Sequence, residues 1–271
     1  MKIYDCFSYL DEDFLLSLRL KILDKYIDHF VIIEGNKTWQ NNKKELSFDI
    51  RKFEEFKEKI IYIPVTDMPE GNNPYLRENF QRNAIDRGLV NAENDDLIII
   101  SDLDEIPNPK KINLFDKKMK FAVFKQLHFY YKLNLQSQNN PFWFGSRICV
   151  KKYLKSPQWL RNLKFKKRPF WRIDKIRLNN IIEDGGWHFC NLKEPEKLLY
   201  KYKNLCETND PHVFNEKIDE KYLELDEIKK RVKGGLDIIG REENYKKIDL
   251  DQRFPDYIIE KKNDLKDWIV N

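Results

Sequence analysis

Four short apolar runs recur in the first hundred residues: "KIYDCFSYL" (2–10), "HFVIIEG" (29–35), "IIYIPV" (60–65) and "DLIIIS" (96–101). Runs this short read as strands, and continuous apolarity means burial on both faces. Amphipathic segments separate them. "DEDFLLSLRLKILDKY" (11–26) carries Leu15, Leu18 and Ile22 at helical spacing behind an acidic start. "DIRKFEEFKEK" (49–59) gathers Ile50, Phe53 and Phe56 on one face. "PYLRENFQRNAIDRGLVNA" (74–92) begins with proline, which suits the first turn of a helix. This alternation predicts an α/β fold with a parallel sheet covered by helices on both sides.

The pattern changes after residue 107. "KFAVFKQLHFYYKL" (120–133) and "PFWFGSRICV" (141–150) read as long strands, with helices expected at 194–207, 215–232 and 255–269. No repeat or flexible linker interrupts the 271 residues, so one domain with an elaborated second half is expected. Hydrophobic residues at 41% provide a core, and charged residues at 35% provide a soluble surface. The net charge of +5 is too small to indicate nucleic acid by itself. Cys6, Cys149, Cys190 and Cys206 are scattered without a CxxC pair, which argues against a zinc ribbon or a disulfide scaffold. The opening "MKIYDCFSYLDED" has acids where a secretory signal needs an apolar core, and no apolar run approaches a membrane span. The expectation is a cytoplasmic protein.

"IIISDLDEIP" poses the chemical question. Asp102, Asp104 and Glu105 follow directly on a buried strand, at the end where ligands bind in open α/β sheets. Either solvent or a divalent cation answers their mutual repulsion. Hard carboxylate oxygens suit Mg²⁺ or Mn²⁺, which binds one or two of them and completes its shell with phosphate and water. In "DGGWHF" (184–189), His188 is a third candidate ligand or a packed core residue; the glycines allow a sharp turn or close approach to a ligand. A ligating imidazole must be neutral, so metal and proton would compete near the ordinary histidine pKa of about 6.5. Arg77 and Gln81 share a helix face, and arginine suits phosphate. Glu34, ending the second strand, is placed to accept from a nucleoside. The basic stretch 151–178 with its aromatics reads as an acceptor-side insertion, with possible contact to a membrane surface.

Several pieces in order resemble glycosyltransferase family 17, the group that contains the bisecting β-1,4-N-acetylglucosaminyltransferases. They are "YDCFSYLDEDFLLSLRLKIL", "FVIIEGNKTWQNNKKEL", "LRENFQRNAI", "IIISDLDEIP", "GGWHF" and "IKKRVKGG", spread over residues 3–240. The resemblance implies a GT-A type fold, a Rossmann-like mixed sheet flanked by helices. Residues 1–107 would form the nucleotide-sugar-binding half and 108–271 the acceptor-side half with C-terminal helices. It implies a UDP-sugar donor, Mn²⁺ or Mg²⁺, and Asp102 and Asp104 as the D-x-D acids, with Arg82 at the donor. The expected reaction is inverting transfer of N-acetylglucosamine from UDP-GlcNAc to a glycan or glycolipid hydroxyl. Inversion requires a base, for which Glu105, Glu183 and Asp184 are candidates. The rival reading is a non-catalytic protein that binds nucleic acid or a membrane through 151–178; the family resemblance favours no nucleic-acid partner.

Overall fold

The computed structural model describes residues 1–164, 180–206 and 218–270. The alternation predicted for the first hundred residues is present. Strand β1 (Ile3–Ser8) leads to helix α1 (Asp13–Leu23), and β2 (His29–Gly35) to a tight turn of 3₁₀ helix (Ile50–Phe56). Then come β3 (Ile60–Val65), α2 (Pro74–Asn83) and β4 (Leu97–Asp102). The expected 74–92 helix is shorter: α2 stops at Asn83 and a 3₁₀ turn (Ala84–Gly88) follows. Asn73 caps α2 by accepting from the Tyr75 N–H.

β1 lies between β2 and β4, and β3 lies beyond β2; all four run parallel. Side-chain alternation divides the strands between two cores. Ile98 and Ile100 join Cys6, Val31 and Ile33 on one face, while Ile99 joins Phe7 and Ile32 on the other. The chain steps outward from β1 to β3 and then returns to the other side of β1. The reversal opens a crevice beyond the carboxyl ends of β1 and β4, where Ser8 pairs with Asp102.

The second half extends the same sheet and makes it mixed. After β5 (Glu105–Pro107) and the short helix α3 (Pro109–Ile112) come β6 (Phe121–Tyr130), β7 (Leu135–Ser137) and β8 (Phe142–Val150). Helix α4 (Pro157–Arg161) precedes β9 (Ile181–Ile182), β10 (Gly186–Cys190), α5 (Pro195–Asn204) and β11 (Tyr245–Lys247). β8 pairs antiparallel with both β4 and β6, and β10 fits between β5 and β6. The glycine pair serves this insertion. A Cβ on Gly186 would lie 2.2 Å from the Ile106 carbonyl oxygen, and one on Gly185 would lie 2.6 Å from the Lys125 nitrogen. The two glycines therefore let strands approach one another, where the sequence suggested a ligand. Among the described residues no helix is long and apolar enough to cross a membrane.

Candidate active site

The acidic turn after β4 is held from below by α1. Arg19 is fully buried and donates to both Asp5 carboxylate oxygens, at 2.6 and 2.8 Å. Its remaining nitrogen donates to the carbonyls of Asp102, Leu103 and Glu105, at 3.2, 3.1 and 2.8 Å. A planar guanidinium with several fixed donors can tie a carboxylate to three carbonyls; a lysine cannot. The first strand and first helix thus set the backbone of the acidic motif.

Two arginines grip Asp102. Arg82 on α2 lies 3.1 Å from one carboxylate oxygen and Arg161 on α4 lies 2.6 Å from the other. Burial works against the charged carboxylate, but the two guanidinium groups outweigh it and hold Asp102 below the usual carboxylate range. Arg161 also reaches Glu105, at 2.5 and 2.7 Å. Burial disfavours the Arg161 charge too, and the two acids overcome it, so the guanidinium stays ionised. Glu105 further accepts from the Trp143 indole at 2.7 Å and from the Asp102 N–H at 3.0 Å. Gly145 makes room for it, since a Cβ there would lie 2.6 Å from the Glu105 carboxyl carbon.

Two residues have surroundings that the sequence did not suggest. Glu105, a candidate base, meets four donors at its carboxylate. Arg161 belonged to the stretch read as acceptor-side; it sits instead in the acidic motif. The remainder of that stretch from residue 165 to 178 lies outside the described residues.

Asp104 faces differently. One oxygen is 3.4 Å from His188 Nε2 and the other is 3.8 Å from Lys201 Nζ on α5. Burial opposes its charge, but His188 and then Lys201 outweigh it and keep Asp104 well below the usual range. The converse holds for His188. Burial would lower its pKa, whereas the Asp104 carboxylate pushes it up to about 10. The Asp104 carboxylate thus favours the imidazolium form of His188. His188 is in register with His128 of β6, and the two rings stack at 4.7 Å. Burial and the charge on His188 lower His128 to about 4.

These groups line a cavity of about 490 Å³ at the carboxyl ends of β1 and β4. Ser8, Tyr9, Gln81, Asp102, Asp104 and Glu105 contribute, with Trp143, His128, His188 and Lys201 from the second half. Gln81 accepts from the Trp39 indole at 2.9 Å, fixing one wall. Arg77 is not among the lining residues. It is buried and donates to the carbonyls of Trp39 and Gly71, so it shapes the same wall from behind. Glu34 is likewise displaced from its expected donor role. It is fully buried and accepts from Lys44, Phe48, Tyr62 and twice from Ser47, which anchors the loop after β2.

Asp184 and Glu183 lie elsewhere. They line a second cavity with Lys110, Lys111 and Arg253. Asp184 occupies a left-handed turn, φ 49°, with its side chain 84% exposed, and pairs with Lys111 at 3.6 Å. Gly185, Gly186 and Trp187 separate it from His188, and the two side chains line different cavities. Sequence proximity to "GGWHF" thus does not bring these two acids to the cavity that His188 lines. Lys201, His128 and Trp143 were missed because isolated residues on ordinary strands and helices carry no motif.

A family model described as "Glycosyltransferase family 17" matches residues 1–252. Similar curated proteins include the Homo sapiens and Rattus norvegicus enzymes named beta-1,4-mannosyl-glycoprotein 4-beta-N-acetylglucosaminyltransferase. Each is 25% identical over 219 residues, which is 69% of this chain and 40% and 39% of those proteins. The Mus musculus counterpart is 24% identical over the same length. The chain therefore spans about two fifths of the length of these relatives. With the family match extending over most of its length, the chain belongs to glycosyltransferase family 17.

Proposed function

We propose that this protein is a metal-dependent, inverting glycosyltransferase of GT-A type that moves N-acetylglucosamine from UDP-GlcNAc to a glycan hydroxyl. The observation that carries the reading is the placement of Asp102 and Asp104 at the topological switch point, on the wall of a 490 Å³ cavity. The relatives' name supports the donor sugar and a mannose-containing acceptor. Among the described residues of the basic stretch, Arg161 is engaged with Asp102 and Glu105, which weighs against the nucleic-acid reading.

The residues present fit a hard divalent cation. Asp104 Oδ1 and His188 Nε2, 3.4 Å apart, can share one ion at ordinary ligand distances of about 2.0–2.2 Å. Such an ion would offset charge on the diphosphate as UDP departs. The chain's own groups do the rest. Arg82 and Arg161 keep Asp102 anionic and oriented for donor hydroxyls or metal-bound water. Lys201, kept protonated mainly by Asp104 against the effect of burial, offers a cation to the diphosphate. Trp143, packed on His128 and His188 at 5.5 and 5.0 Å, gives a flat apolar wall for a sugar ring.

The test is incubation with UDP-GlcNAc and Mn²⁺ against a panel of mannose-containing glycans, with UDP release and product anomer measured. The reading expects acceptor-stimulated release that chelator abolishes, and a β-linked product. Release no faster than in Asp104→Asn, across several UDP-sugars, would overturn it.

A further inference from the structure

We infer that His128, His188 and Cys190 form a second kind of metal site, one for a borderline thiophilic ion of the Zn²⁺ type, inside the same cavity. The inference goes beyond the transferase reading and does not depend on it. All three residues line the cavity, and their ligand atoms lie within 4.8 Å of one another. The strand register explains why. His128 and His188 are direct neighbours on parallel β6 and β10, and Cys190 is two residues beyond His188 on the same face.

The hydrogen bonding of the two imidazoles gives the argument its direction. His128 is 4% exposed and its Nδ1 meets the Asn140 carbonyl oxygen at 3.0 Å. That leaves Nε2, which is buried without a hydrogen-bond partner. His188 is 7% exposed and its Nε2 faces Asp104, which leaves the buried Nδ1 beside the Cys190 thiol. A metal-bound histidine typically gives its other ring N–H to a carbonyl or a carboxylate. Here one ring has each. An orphaned buried nitrogen such as His128 Nε2 is otherwise a cost that a folded protein rarely retains.

Two imidazoles and one thiolate select Zn²⁺ or Co²⁺ over Mg²⁺ or Mn²⁺. The cavity leaves a fourth position open to water or ligand. The rings are parallel to within 5°, so one must tilt about its Cβ–Cγ bond before both lone pairs meet at one ion. Coordination uses the thiolate and neutral imidazoles, so any protons they carry pass to solvent as the ion binds. Because Asp104 then supports His188 instead of sharing a hard cation with it, Zn²⁺ and Mn²⁺ compete through His188.

Cobalt reports this site without any donor or acceptor. Metal-stripped full-length protein is titrated with Co²⁺ while near-ultraviolet thiolate-to-cobalt absorption is followed, and Zn²⁺ is then used to displace it. One equivalent of Co²⁺ should give the band. Cys190→Ser should remove the band, and Cys190→Ser and His128→Gln should each weaken Zn²⁺ by at least about tenfold. Cys206→Ser should leave both unchanged. Alkylation of wild-type Cys190, followed by peptide mass mapping, should slow when Zn²⁺ is present, which tests the site even if a variant fails to fold. No thiolate band in folded wild type, or Cys190 alkylated equally fast with Zn²⁺, would overturn the inference.

Discussion

The two cavities differ in a way that volume does not reveal. The larger, about 690 Å³, holds many charges, among them Lys110, Lys111, Lys125, Glu183, Asp184 and Asp256. They pair at the surface: Lys110 with Asp256, Lys111 with Asp184 and Lys125 with Glu183. Water screens such pairs and they add little to stability. In the smaller, about 490 Å³, the acids of the motif are locked to arginines: Asp102 to Arg82 and Arg161, and buried Glu105 to Arg161. Its Asp102, Arg161 and Glu105 form one network, and Arg19 fixes the turn beneath it. Held charge in a recess can act on a substrate, whereas exposed charge mostly meets solvent.

Stability should separate the two most strongly. Arg19→Met strands Asp5 and three carbonyls, a loss of about 3–5 kcal/mol for breaking a buried pair. At about 2–4 °C per kcal/mol for larger domains, melting should fall by roughly 6–20 °C. Asp184→Asn, which removes an exposed pair, should stay within about 0.5 kcal/mol. Equal melting temperatures for the two variants would erase the distinction.

Transfer rates sharpen it next. Asp104→Asn should lower kcat by about 10²–10³-fold, the scale of losing one preorganised electrostatic group. Glu183→Gln and Asp184→Asn should leave rates unchanged within about twofold, because neither lines the smaller cavity. A collapse of activity in Asp184→Asn would move the chemistry to the larger cavity.

Glu34→Gln is the subtler case. It disturbs five internal contacts, so a stability loss of about 1–3 kcal/mol is expected. UDP affinity should change little. A large rise in UDP Kd at unchanged stability would restore Glu34 to the donor site.

A different kind of test is in pH. Protonated His188 is stabilised by Asp104, with its pKa raised from 6.5 to about 10. The pair's contribution is complete below the unfolded value near 6.5 and disappears as pH rises towards 10. Metal-free wild type should therefore lose stability relative to His188→Gln across that window in chemical denaturation. Parallel pH profiles of the two proteins would show His188 neutral already at pH 7.

Much of the frame was legible. β2 and β3 have the bounds that their apolar runs predict, and β4 begins and ends within one residue of expectation. Local periodicity suffices for such elements. β5 was not legible, being three residues long and ending in proline, with its place fixed by β10 eighty residues later. Asp102, Asp104 and His188 converge on the cavity as expected, because strand ends concentrate ligand chemistry. Arg19 resembled any helix-surface arginine; its partners include Asp102, at a separation of 83 residues. Glu34 shared the strand-end position of Asp102, but the loop that folds back over it is a tertiary event that no spacing announces.

The central claim is that the acidic turn after β4 receives the donor's diphosphate through a divalent cation. Calorimetric titration of UDP into wild type and Asp104→Asn, each with Mn²⁺ and with chelator, tests it directly. The account predicts binding in wild type that needs Mn²⁺ and is lost in Asp104→Asn, with the variant still folded by circular dichroism. Equal UDP affinity in chelator, or in folded Asp104→Asn with Mn²⁺, would contradict it.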